Sequence, residues 1–475
     1  MPAPPSTEMA LAGATVILNP SASDEIIGKA DYRRSLISNQ SARLYCAYAY
    51  ADASEGESTT DMVFAGENLV YENGSKLAAT KLLTCDMAIV DVDLDRLVAE
   101  RRRSTTWTRA DDAPEARPLS FRLRACWPKS LSCAMPAIST ASSLARLLCR
   151  PTTVIWPSVA RLFSICRLRA QDPPCPYGYQ GCSHRSFGRP GLHAGTACNR
   201  ACLRCARAAA HGYHAVSMPG FGTTHRTKSN AESLARDLGV SFREVSIHAA
   251  VEQHFKDIEH DPAVQDVTYE NSQARERTQI LMDLANQAGG FVIGTGDLSE
   301  LALGWATYNG DHMSMYAVNA SVPKTLVRHL VRYAADVFGG RIAETLLDIL
   351  DTPVSPELLP PTGDGEIAQK TEDLVGPYEL HDYFLYYLLR FGFEPGKIYR
   401  MALKSFEGVY DAKTVHTWLR TFYRRFFAQQ FKRSCLPDGP KVGSVTLSPR
   451  GDWRMPSDAS SRLWLAQIDA LNAID

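Results

Sequence analysis

The pattern of apolar and polar positions divides the chain into three parts. In the first part, residues 11–23, 41–50 and 61–71 predict strands, because apolar side chains there either alternate with polar ones or run continuously up to a polar turn. Glu72-Asn73-Gly74 predicts a hairpin turn, and residues 87–103 predict one more strand and then a short helix ending in three arginines. These elements indicate a strand-rich α/β region.

The middle part loses this order and the last part regains it. Neither a helical nor a strand period persists from residue 104 to about residue 213. Beyond that point strands and helices alternate, which predicts a parallel, doubly wound sheet, and residues 377–432 have the helical spacing of a C-terminal helical region. The predicted strands and helices of the sheet lie at residues 214–219, 227–238, 242–247, 271–287, 291–294 and 323–338.

Length and composition fit a globular protein of two or three domains. The chain has 475 residues, of which 45% are hydrophobic and 22% charged, and a single core rarely grows past about 250–300 residues. These values exclude a disordered, collagen-like or disulfide-stapled chain. No uncharged apolar stretch reaches the roughly 18 residues of a membrane span, and the N-terminus does not resemble a signal peptide.

The formal net charge of −1 is an average over unlike parts. Residues 101–210 contain 18 basic and 4 acidic residues, so the rest of the chain is acidic. Nine of the twelve cysteines lie between residues 126 and 205. The middle part therefore differs from its surroundings in charge and in cysteine content as well as in periodicity.

One interpretation treats the middle part as a genuine insert. The spacing Cys198-x₃-Cys202-x₂-Cys205, with His193 or His211 as a fourth ligand, could bind Zn²⁺. The arginine excess could bind nucleic acid. No second paired cysteine cluster supports the zinc site, so the spacing alone is a weak signal.

Residues 294–308 contain the most informative motif, Gly-Thr-Gly-Asp-Leu-Ser-Glu-Leu-Ala-Leu-Gly-Trp-Ala-Thr-Tyr. Glycines after a strand let the backbone approach a ligand, and open α/β folds bind nucleotides at the carboxyl edge of their parallel sheet. Asp297 and Glu300 could hold Mg²⁺ or accept hydrogen bonds from ribose hydroxyls. Equally, Asp297 could cap the next helix and Glu300 could be a solvated acid in its first turn.

Three further residues, in two segments, are candidates for binding a ligand. Asn271 and Arg275 lie one helical turn apart and could reach one ligand, although a charged exposed helix face is the simpler explanation of that segment. Lys324 follows Pro323 at a predicted helix start, where an ammonium group and the helix N-terminus could together hold phosphate. Lys324 could equally be an ordinary surface lysine.

Over nearly all of residues 214–475 the sequence resembles the synthetase domain of the glutamine-dependent NAD synthetases. The stretches that carry the resemblance are long. They are Pro219-Gly-Phe-Gly-Thr-Thr-His-Arg-Thr-Lys-Ser-Asn230, residues 269–278 and 294–308, Asn319-Ala-Ser-Val-Pro-Lys324, Thr352-Pro-Val-Ser-Pro-Glu-Leu-Leu-Pro360, Phe431-Lys-Arg-Ser-Cys-Leu-Pro437 and Leu447-Ser-Pro-Arg-Gly-Asp-Trp-Arg454.

The resemblance implies an α/β fold of the adenine nucleotide alpha hydrolase-like type and a two-step reaction. ATP adenylates the nicotinate carboxylate of deamido-NAD, with Mg²⁺ neutralising the phosphates, and ammonia then displaces AMP to give NAD. By position, Thr295 would contact ATP and Glu300 would also hold the metal. The residues implied to contact deamido-NAD are Asn271, Glu300, Trp305, Ala306, Thr307, Tyr308 and Lys432.

Residues 2–103 resemble the later part of the partner domain of that family, a nitrilase-like glutaminase with an α-β-β-α sandwich. The match runs through Asn19-Pro-Ser-Ala-Ser23 and Gly28-Lys-Ala-Asp-Tyr-Arg-Arg34, and it implies that Ser23 and Lys29 bind glutamine. Family glutaminases use a Glu–Lys–Cys triad. The segment carrying that cysteine would precede residue 2, so we assign no catalytic residue and interpret Cys46 and Cys85 as buried thiols.

The sequence departs from the family at the pyrophosphate-binding loop, Ser-Gly-Gly-Leu-Asp-Ser. That loop should stand about thirty residues before Pro219, where the chain instead has Phe187-Gly-Arg-Pro-Gly-Leu-His-Ala-Gly195. With synonymous codons, residues 179–195 read one nucleotide later as Thr-Lys-Ala-Val-Val-Ile-Gly-His-Ser-Gly-Gly-Leu-Asp-Ser-Thr-Leu-Ala, an apolar strand followed by the missing loop. We therefore interpret residues 104–213 as out-of-frame translation between a partial glutaminase domain, 1–103, and a synthetase domain, 214–475.

These observations predict a glutamine-dependent NAD synthetase, a carbon–nitrogen ligase, that is impaired in its ATP-dependent step. We expect glutamine not to support NAD formation and ammonia to support it weakly or not at all, because backbone amides that would cradle pyrophosphate are missing. A non-catalytic subunit is the alternative. The family implies a cytoplasmic homo-oligomer that binds small molecules, with no nucleic acid or membrane partner.

Overall fold

The described part of the structure, a computed structural model, folds as two units. The first unit takes its described residues from 1–23, 30–55 and 65–157, and the second takes them from 24–29, 56–64 and 158–475. The structure describes residues 4–54, 61–107, 181–185 (backbone only), 213–223, 225–352, 358–360 and 371–471.

The first unit contains a four-stranded sheet of order β1-β2-β3-β4, in which β1 pairs parallel with β2 and the other pairs are antiparallel. Its side chains Ile17, Ile37, Tyr48 and Leu69 form a small apolar core. The elements in this part of the chain are α1 (Pro5–Leu11), β1 (Val16–Ser21), α2 (Lys29–Arg43), β2 (Ala47–Asp52), β3 (Leu69–Glu72), β4 (Ser75–Ala79) and α3 (Leu94–Arg103).

The hairpin predicted at Glu72-Asn73-Gly74 is confirmed. Asn73 and Gly74 have φ values of 45° and 80°, the left-handed conformations that a tight turn between antiparallel strands requires. β3 and β4 pair antiparallel on its two sides. The short helix predicted to end at Arg103 is also present, as α3.

The second unit contains a five-stranded sheet of order β7-β6-β5-β8-β9, and all four strand pairs are parallel. This order reverses direction between β5 and β8, which makes the gap beyond their carboxyl ends the topological switch point of the sheet. The strands are β5 (Gly181–Arg185), β6 (Tyr213–Ser217), β7 (Ser241–Glu244), β8 (Gly290–Gly294) and β9 (Tyr316–Ala317).

Helices make up most of the rest of the second unit, and the predicted helical C-terminal region is confirmed. A large apolar cluster that includes Leu303, Phe384, Phe422 and Phe426 joins these C-terminal helices to α7. The helices are α4 (His225–Asp237), α5 (His248–Asp257), α6 (Val267–Ala288), α7 (Leu298–Leu303), α8 (Lys324–Phe338), α9 (Gly340–Leu350), α10 (Thr371–Val375), α11 (Tyr378–Phe391), α12 (Pro395–Ser405), α13 (Ala412–Ala428), α14 (Gln430–Arg433) and α15 (Arg462–Leu471).

Three details of the first part were predicted wrongly. Residues 87–93 form no strand, and Met87 and Ile89 are 80% and 84% exposed, so their apolar alternation does not bury a face. The strand predicted over 61–71 is confined to β3, which begins at Leu69. Cys85 is exposed rather than buried, whereas Cys46 is buried as predicted.

β5 lies inside the segment 104–213, for which the periodicity predicted no regular element. It is hydrogen-bonded on both sides, pairing with β6 and with β8. Backbone pairing with two well-defined neighbours places this strand, although its sequence, Gly-Cys-Ser-His-Arg, lacks the apolar run typical of a central parallel strand. The remaining residues of the segment, apart from 104–107 and 213, lie outside the described residues.

Across the ranges given above, no helix has both the length and the apolarity that crossing a membrane requires.

Candidate functional site

The turn between β8 and α7 stands at the carboxyl edge of the parallel sheet. Gly294 ends β8 against Ser314, whose side chain leaves no room for a Cβ atom at that position. Thr295, predicted to contact ATP, follows and is half-buried. Asp297 then caps α7, because its carboxylate accepts a hydrogen bond from the backbone N–H of Glu300 at 2.9 Å. The strand–turn–helix predicted from the motif is therefore present.

Asp297 and Glu300 form a reciprocal capping box. Oε2 of Glu300 accepts a hydrogen bond from the backbone N–H of Asp297 at 3.3 Å. Both side chains are buried, Asp297 completely and Glu300 with 6% exposure. The capping alternative for Asp297 is thus confirmed, whereas Glu300 is not the solvated first-turn acid of that alternative.

Lys324, at the start of α8, is the cation of this box. Its Nζ donates to Oε1 of Glu300 at 2.8 Å and forms an ion pair with Asp297, and Lys324 is 4% exposed. Burial and the Glu300 carboxylate raise the pKa of Asp297, whereas the two carboxylates raise the pKa of Lys324 against the effect of burial. Lys324 is therefore not the ordinary surface lysine considered from the sequence, and its ammonium group pairs with two buried carboxylates.

A second polar network lies beside the box. Asp382, from α11, accepts hydrogen bonds from Ser299 and from the backbone N–H and hydroxyl of Thr325, at 3.0 and 2.7 Å for the latter two. Ser299 in turn accepts a hydrogen bond from the backbone N–H of Lys324 at 2.8 Å. The starts of α7 and α8 are thereby fixed to each other and to α11.

The C-terminal end of α7 is closed by Gly304. Gly304 has φ 61° and ψ 31°, the left-handed conformation of a helix-terminating glycine. The backbone N–H of Trp305 then donates to the carbonyl of Glu300 at 2.9 Å. A Cβ atom at Gly304 would overlap the side chain of Gln429, so the chain can turn here only at a glycine.

Three cations from α13 and α14 bind carbonyl oxygens in the last turn of α7 and in the residues that follow it. Arg425 donates to Leu303 at 3.0 Å and its guanidinium carbon lies 5.1 Å from the centre of the Trp305 ring. Lys432 donates to Gly304 and Ala306 at 2.8 and 2.7 Å. Arg433 donates to Leu301 and Ala302 at 3.1 and 3.0 Å. We call Arg425, Lys432 and Arg433 the cationic clamp.

The predicted deamido-NAD residues that follow α7 meet α6. The hydroxyl of Thr307 donates to Oδ1 of Asn271 at 2.7 Å, and Arg275 donates to the carbonyl of Tyr308 at 3.4 Å. Tyr308 is 42% exposed and stacks on His312, with ring centroids 5.0 Å apart. The structure thus brings the predicted ligand residues of α6, α7 and α14 into one connected group.

The two predicted glutamine-binding residues have separate surroundings. In the first unit, the backbone N–H of Ser23 donates to Asp52 at 2.7 Å, and its hydroxyl lies 3.4 Å from Nη1 of Arg33, which donates to it. In the second unit, Lys29 forms an ion pair with Asp24. These contacts leave the role of both residues as a prediction.

The carboxylates at the turn do not form a metal site by themselves. Mg²⁺ prefers a near-octahedral set of oxygen ligands. Both carboxylate oxygens of Glu300 already accept hydrogen bonds, and Lys324 supplies the local positive charge. Among the residues that the structure describes, no group of three or more His, Cys, Asp and Glu side chains is arranged to hold a metal ion.

The sequence did not reveal the side chains that contact the site from residues distant in the chain. Asp382, Arg425 and Arg433 carry no local signal, because helical spacing alone does not show which carbonyl or hydroxyl a side chain will meet. Arg433 appeared in the sequence analysis only as part of the family-like stretch at residues 431–437, with no role assigned to it. The burial of Lys324 was likewise not visible in the sequence.

A parallel sheet with a switch point and a glycine-bounded turn at its carboxyl edge defines a nucleotide-binding α/β protein. The family model for NAD synthase matches residues 191–406. Glutamine-dependent NAD(+) synthetases from Mycobacterium bovis and Mycobacterium leprae are 42% and 40% identical to the chain over 99% of its length and 73% of theirs. The chain belongs to the glutamine-dependent NAD(+) synthetase family.

Solved structures show the same fold. A glutamine-dependent NAD(+) synthetase from Cytophaga hutchinsonii matches with a TM-score of 0.68 and 20% identity, over 97% of this chain and 71% of that one. The enzyme from Acinetobacter baumannii in complex with ADP matches with a TM-score of 0.54 and 20% identity, over 95% and 69%. The predicted fold class, α/β with a synthetase domain of the adenine nucleotide alpha hydrolase-like type, is confirmed.

Proposed function

We propose that the chain takes part in the ATP-dependent amidation of deamido-NAD to NAD. In the first step a carboxylate oxygen of the nicotinate bonds to the α-phosphorus of ATP, and pyrophosphate leaves. In the second step ammonia, derived from glutamine, bonds to the carbonyl carbon, and AMP leaves while the nitrogen loses a proton. The family membership, at 42% identity over 99% of the chain, supports this reaction.

The observation that carries the proposal is the connected group around α7. Asn271 and Thr307 share a hydrogen bond of 2.7 Å, and Lys432 donates to the carbonyls on both sides of Trp305. Two donors of the Lys432 ammonium are used in this way, and an ammonium group has three. We assign deamido-NAD to this group, with the exposed ring of Tyr308 as a stacking surface for its nicotinate.

We further propose that the adenylation step is impaired. Pyrophosphate in such folds is bound by backbone N–H groups of the loop that follows a central strand. The central strand here is β5, and the sequence after it contains no Ser-Gly-Gly-Leu-Asp-Ser loop. Each charge-assisted hydrogen bond that is lost costs about 1.5–3 kcal/mol, so several together would slow adenylation severely. The proposal assigns no step to Mg²⁺, because the described residues do not form its site.

The sequence at and after β5 also bears on how residues 104–213 arose. Read one nucleotide later, residues 179–195 supply both an apolar strand and the missing loop. β5, at residues 181–185, is the central strand of the five-stranded sheet, which supports this interpretation. We propose that residues 104–213 are translated out of frame. Sequencing the coding DNA tests this: the shifted frame should encode the strand and the loop, and a frame that encodes neither would rule the proposal out.

A genuine zinc- or nucleic-acid-binding insert is not favoured, since relatives match 99% of the chain. Its cysteines and histidines between 193 and 211 lie outside the described residues. We propose instead that the protein binds small molecules only, as a cytoplasmic homo-oligomer whose first unit is of the nitrilase-like type. Sedimentation velocity of the purified chain checks the oligomer.

Calorimetric titration with deamido-NAD tests the assigned site. Asn271→Ala removes the amide that Thr307 contacts and should weaken binding by about tenfold or more, as expected for a lost polar contact to a charged ligand. Asn286→Ala, on an exposed position of the same helix, is the matched control and should leave the affinity unchanged. Unchanged affinity in Asn271→Ala, or no binding by the unaltered chain, would contradict the assignment.

A further inference from the structure

Arg433 is a buried cation whose described partners are carbonyl and amide oxygens. It is 1% exposed and lies at the end of α14. Nη1 donates to the carbonyls of Leu301 and Ala302, Nη2 to that of Phe426, and Nε to Oε1 of Gln430 at 2.9 Å. Its guanidinium carbon also lies 4.4 Å from the centre of the Phe426 ring.

Burying a guanidinium group without a carboxylate partner costs free energy of folding. Burial lowers the pKa of Arg433, because the charged form is removed from water. Among the ion pairs of the described residues, none joins a carboxylate to Arg433, so hydrogen bonds to neutral oxygens must offset the desolvation. Four of the five guanidinium N–H groups can serve the four oxygens above, which a lysine with three donors cannot match.

Two of the four oxygens that Arg433 binds, the carbonyls of Leu301 and Ala302, belong to the last turn of α7. Leu301 and Ala302 lie three and two residues before the left-handed Gly304, at which the chain leaves the helix and enters residues 304–308. Arg425 and Lys432 bind the next carbonyls, those of Leu303, Gly304 and Ala306. Arg433 is the most deeply buried member of the cationic clamp and fixes its first two carbonyls.

We infer that Arg433 is a positioning residue, which holds residues 304–308 in the conformation that binds deamido-NAD; the inference rests on the proposed function. Arg433 acts through the backbone of α7, and it reaches the ligand residues only by setting where the helix ends. Loss of its guanidinium frees two carbonyls of a buried helix, and the segment that follows then loses its fixed starting point.

Hydrogen exchange of backbone amides in residues 301–308 tests the inference without any ligand. Arg433→Met keeps an unbranched apolar stem in place of the arginine methylenes and removes all donors. We expect exchange in this segment to rise by at least about tenfold in Arg433→Met. In Arg433→Lys we expect a rise of about threefold, because lysine keeps the positive charge but has fewer donors than arginine. Arg420, exposed on α13 and paired with Asp469, provides the control variant Arg420→Met, with no local change expected.

Deamido-NAD affinity is the second readout. We expect it to fall with the exchange protection, most in Arg433→Met and less in Arg433→Lys, and to stay unchanged in Arg420→Met. A rise in exchange that is equal in α11, α13 and residues 301–308 would show a purely structural role and overturn the inference. If Arg433→Met does not fold, Arg433→Lys decides, and unchanged exchange in residues 301–308 of that variant would overturn the inference. If the unaltered chain does not bind deamido-NAD, the proposed function fails, while the exchange result still decides the inference.

Discussion

β5 and β8 are neighbours in one parallel sheet and end at the same edge, yet their sequences differ in kind. Gly181 and Gly290 stand side by side, and the register continues through Ser183 and Val292. β8 reads Gly-Phe-Val-Ile-Gly and buries Val292 and Ile293. β5 reads Gly-Cys-Ser-His-Arg in a position where parallel sheets normally place apolar runs. One strand is typical of its position and the other is not.

The difference shows what each level of structure requires. Pairing on both sides places a strand through backbone hydrogen bonds, which every residue except proline can make. A site at the end of the strand requires particular side chains and glycines. After β8 these are all present, from Gly294 to the capped α7. After β5 the family's glycine loop is missing from the sequence. The sheet therefore accommodates the sequence of β5, whereas we expect adenylation to be slowed by the missing loop.

Restoring the sequence at β5 should have the largest effect. Residues 179–195 are replaced by Thr-Lys-Ala-Val-Val-Ile-Gly-His-Ser-Gly-Gly-Leu-Asp-Ser-Thr-Leu-Ala. We expect ammonia-dependent NAD formation to rise by at least about a hundredfold, since two or more regained hydrogen bonds of about 1.5–3 kcal/mol each act on the phosphates. The same replacement with both adjacent glycines changed to alanine is the control. Equal rates of NAD formation in the restored and unaltered chains would show that the missing loop after β5 does not limit activity.

Removing the cation beside the β8 edge should have the next largest effect. Lys324→Met leaves Asp297 and Glu300 buried without their shared partner, and breaking a buried ion pair in this way costs about 3–5 kcal/mol in the free energy of unfolding. The pKa of Asp297 is already raised in the folded protein. A group of this kind destabilises the fold as pH rises through its folded-state pKa, so the loss should be greater at pH 8 than at pH 5.5.

Urea unfolding at the two pH values measures this effect. Lys404→Met, at an exposed position of α12, should change the free energy of unfolding by less than about 0.5 kcal/mol. Lys324→Met combined with Asp297→Asn should recover part of the loss, since one buried charge is removed and asparagine still caps α7. A loss that does not depend on pH would mean that Lys324 does not act through charge.

Two glycines on either side of β8 separate conformational from packing effects. Gly289 and Gly304 have nearly the same left-handed backbone, with φ 60° and ψ 35° against φ 61° and ψ 31°. No atom lies within 4 Å of a Cβ placed on Gly289, whereas Gly304 meets Gln429. Gly289→Ala should cost about 1 kcal/mol, and Gly304→Ala about 1–3 kcal/mol more because of overpacking. Equal midpoints in urea would show that Gln429 does not constrain the turn.

The smallest effect is expected from β5 alone. Ser183→Val with His184→Ile places β-branched residues in a central strand and should raise stability by about 0.5–1 kcal/mol, seen as a higher melting temperature. Arg243→Val, at an exposed position of the edge strand β7, should give no gain. A fall in melting temperature in the double variant would show that the polar sequence of β5 suits its surroundings.

Local patterns predicted the elements around the site but not its long-range contacts. The strand before Gly294 and the cap at Asp297 each follow from residues next to one another in sequence. The bonds from Lys324 to Glu300 and from Arg433 to Ala302 join residues 24 and 131 positions apart. Their side chains look like ordinary surface cations in the sequence, and only the packing of α8 and α14 shows that they are buried.

Deamido-NAD-dependent release of pyrophosphate from ATP by the unaltered chain measures adenylation directly, and titration of deamido-NAD into the same preparation measures binding. We expect saturable binding of deamido-NAD, because the residues assigned to its site around α7 are all present. We also expect pyrophosphate release at about one hundredth or less of the rate of the restored chain, because the sequence lacks the phosphate-binding loop. Equal rates of pyrophosphate release in the two chains would contradict this expectation.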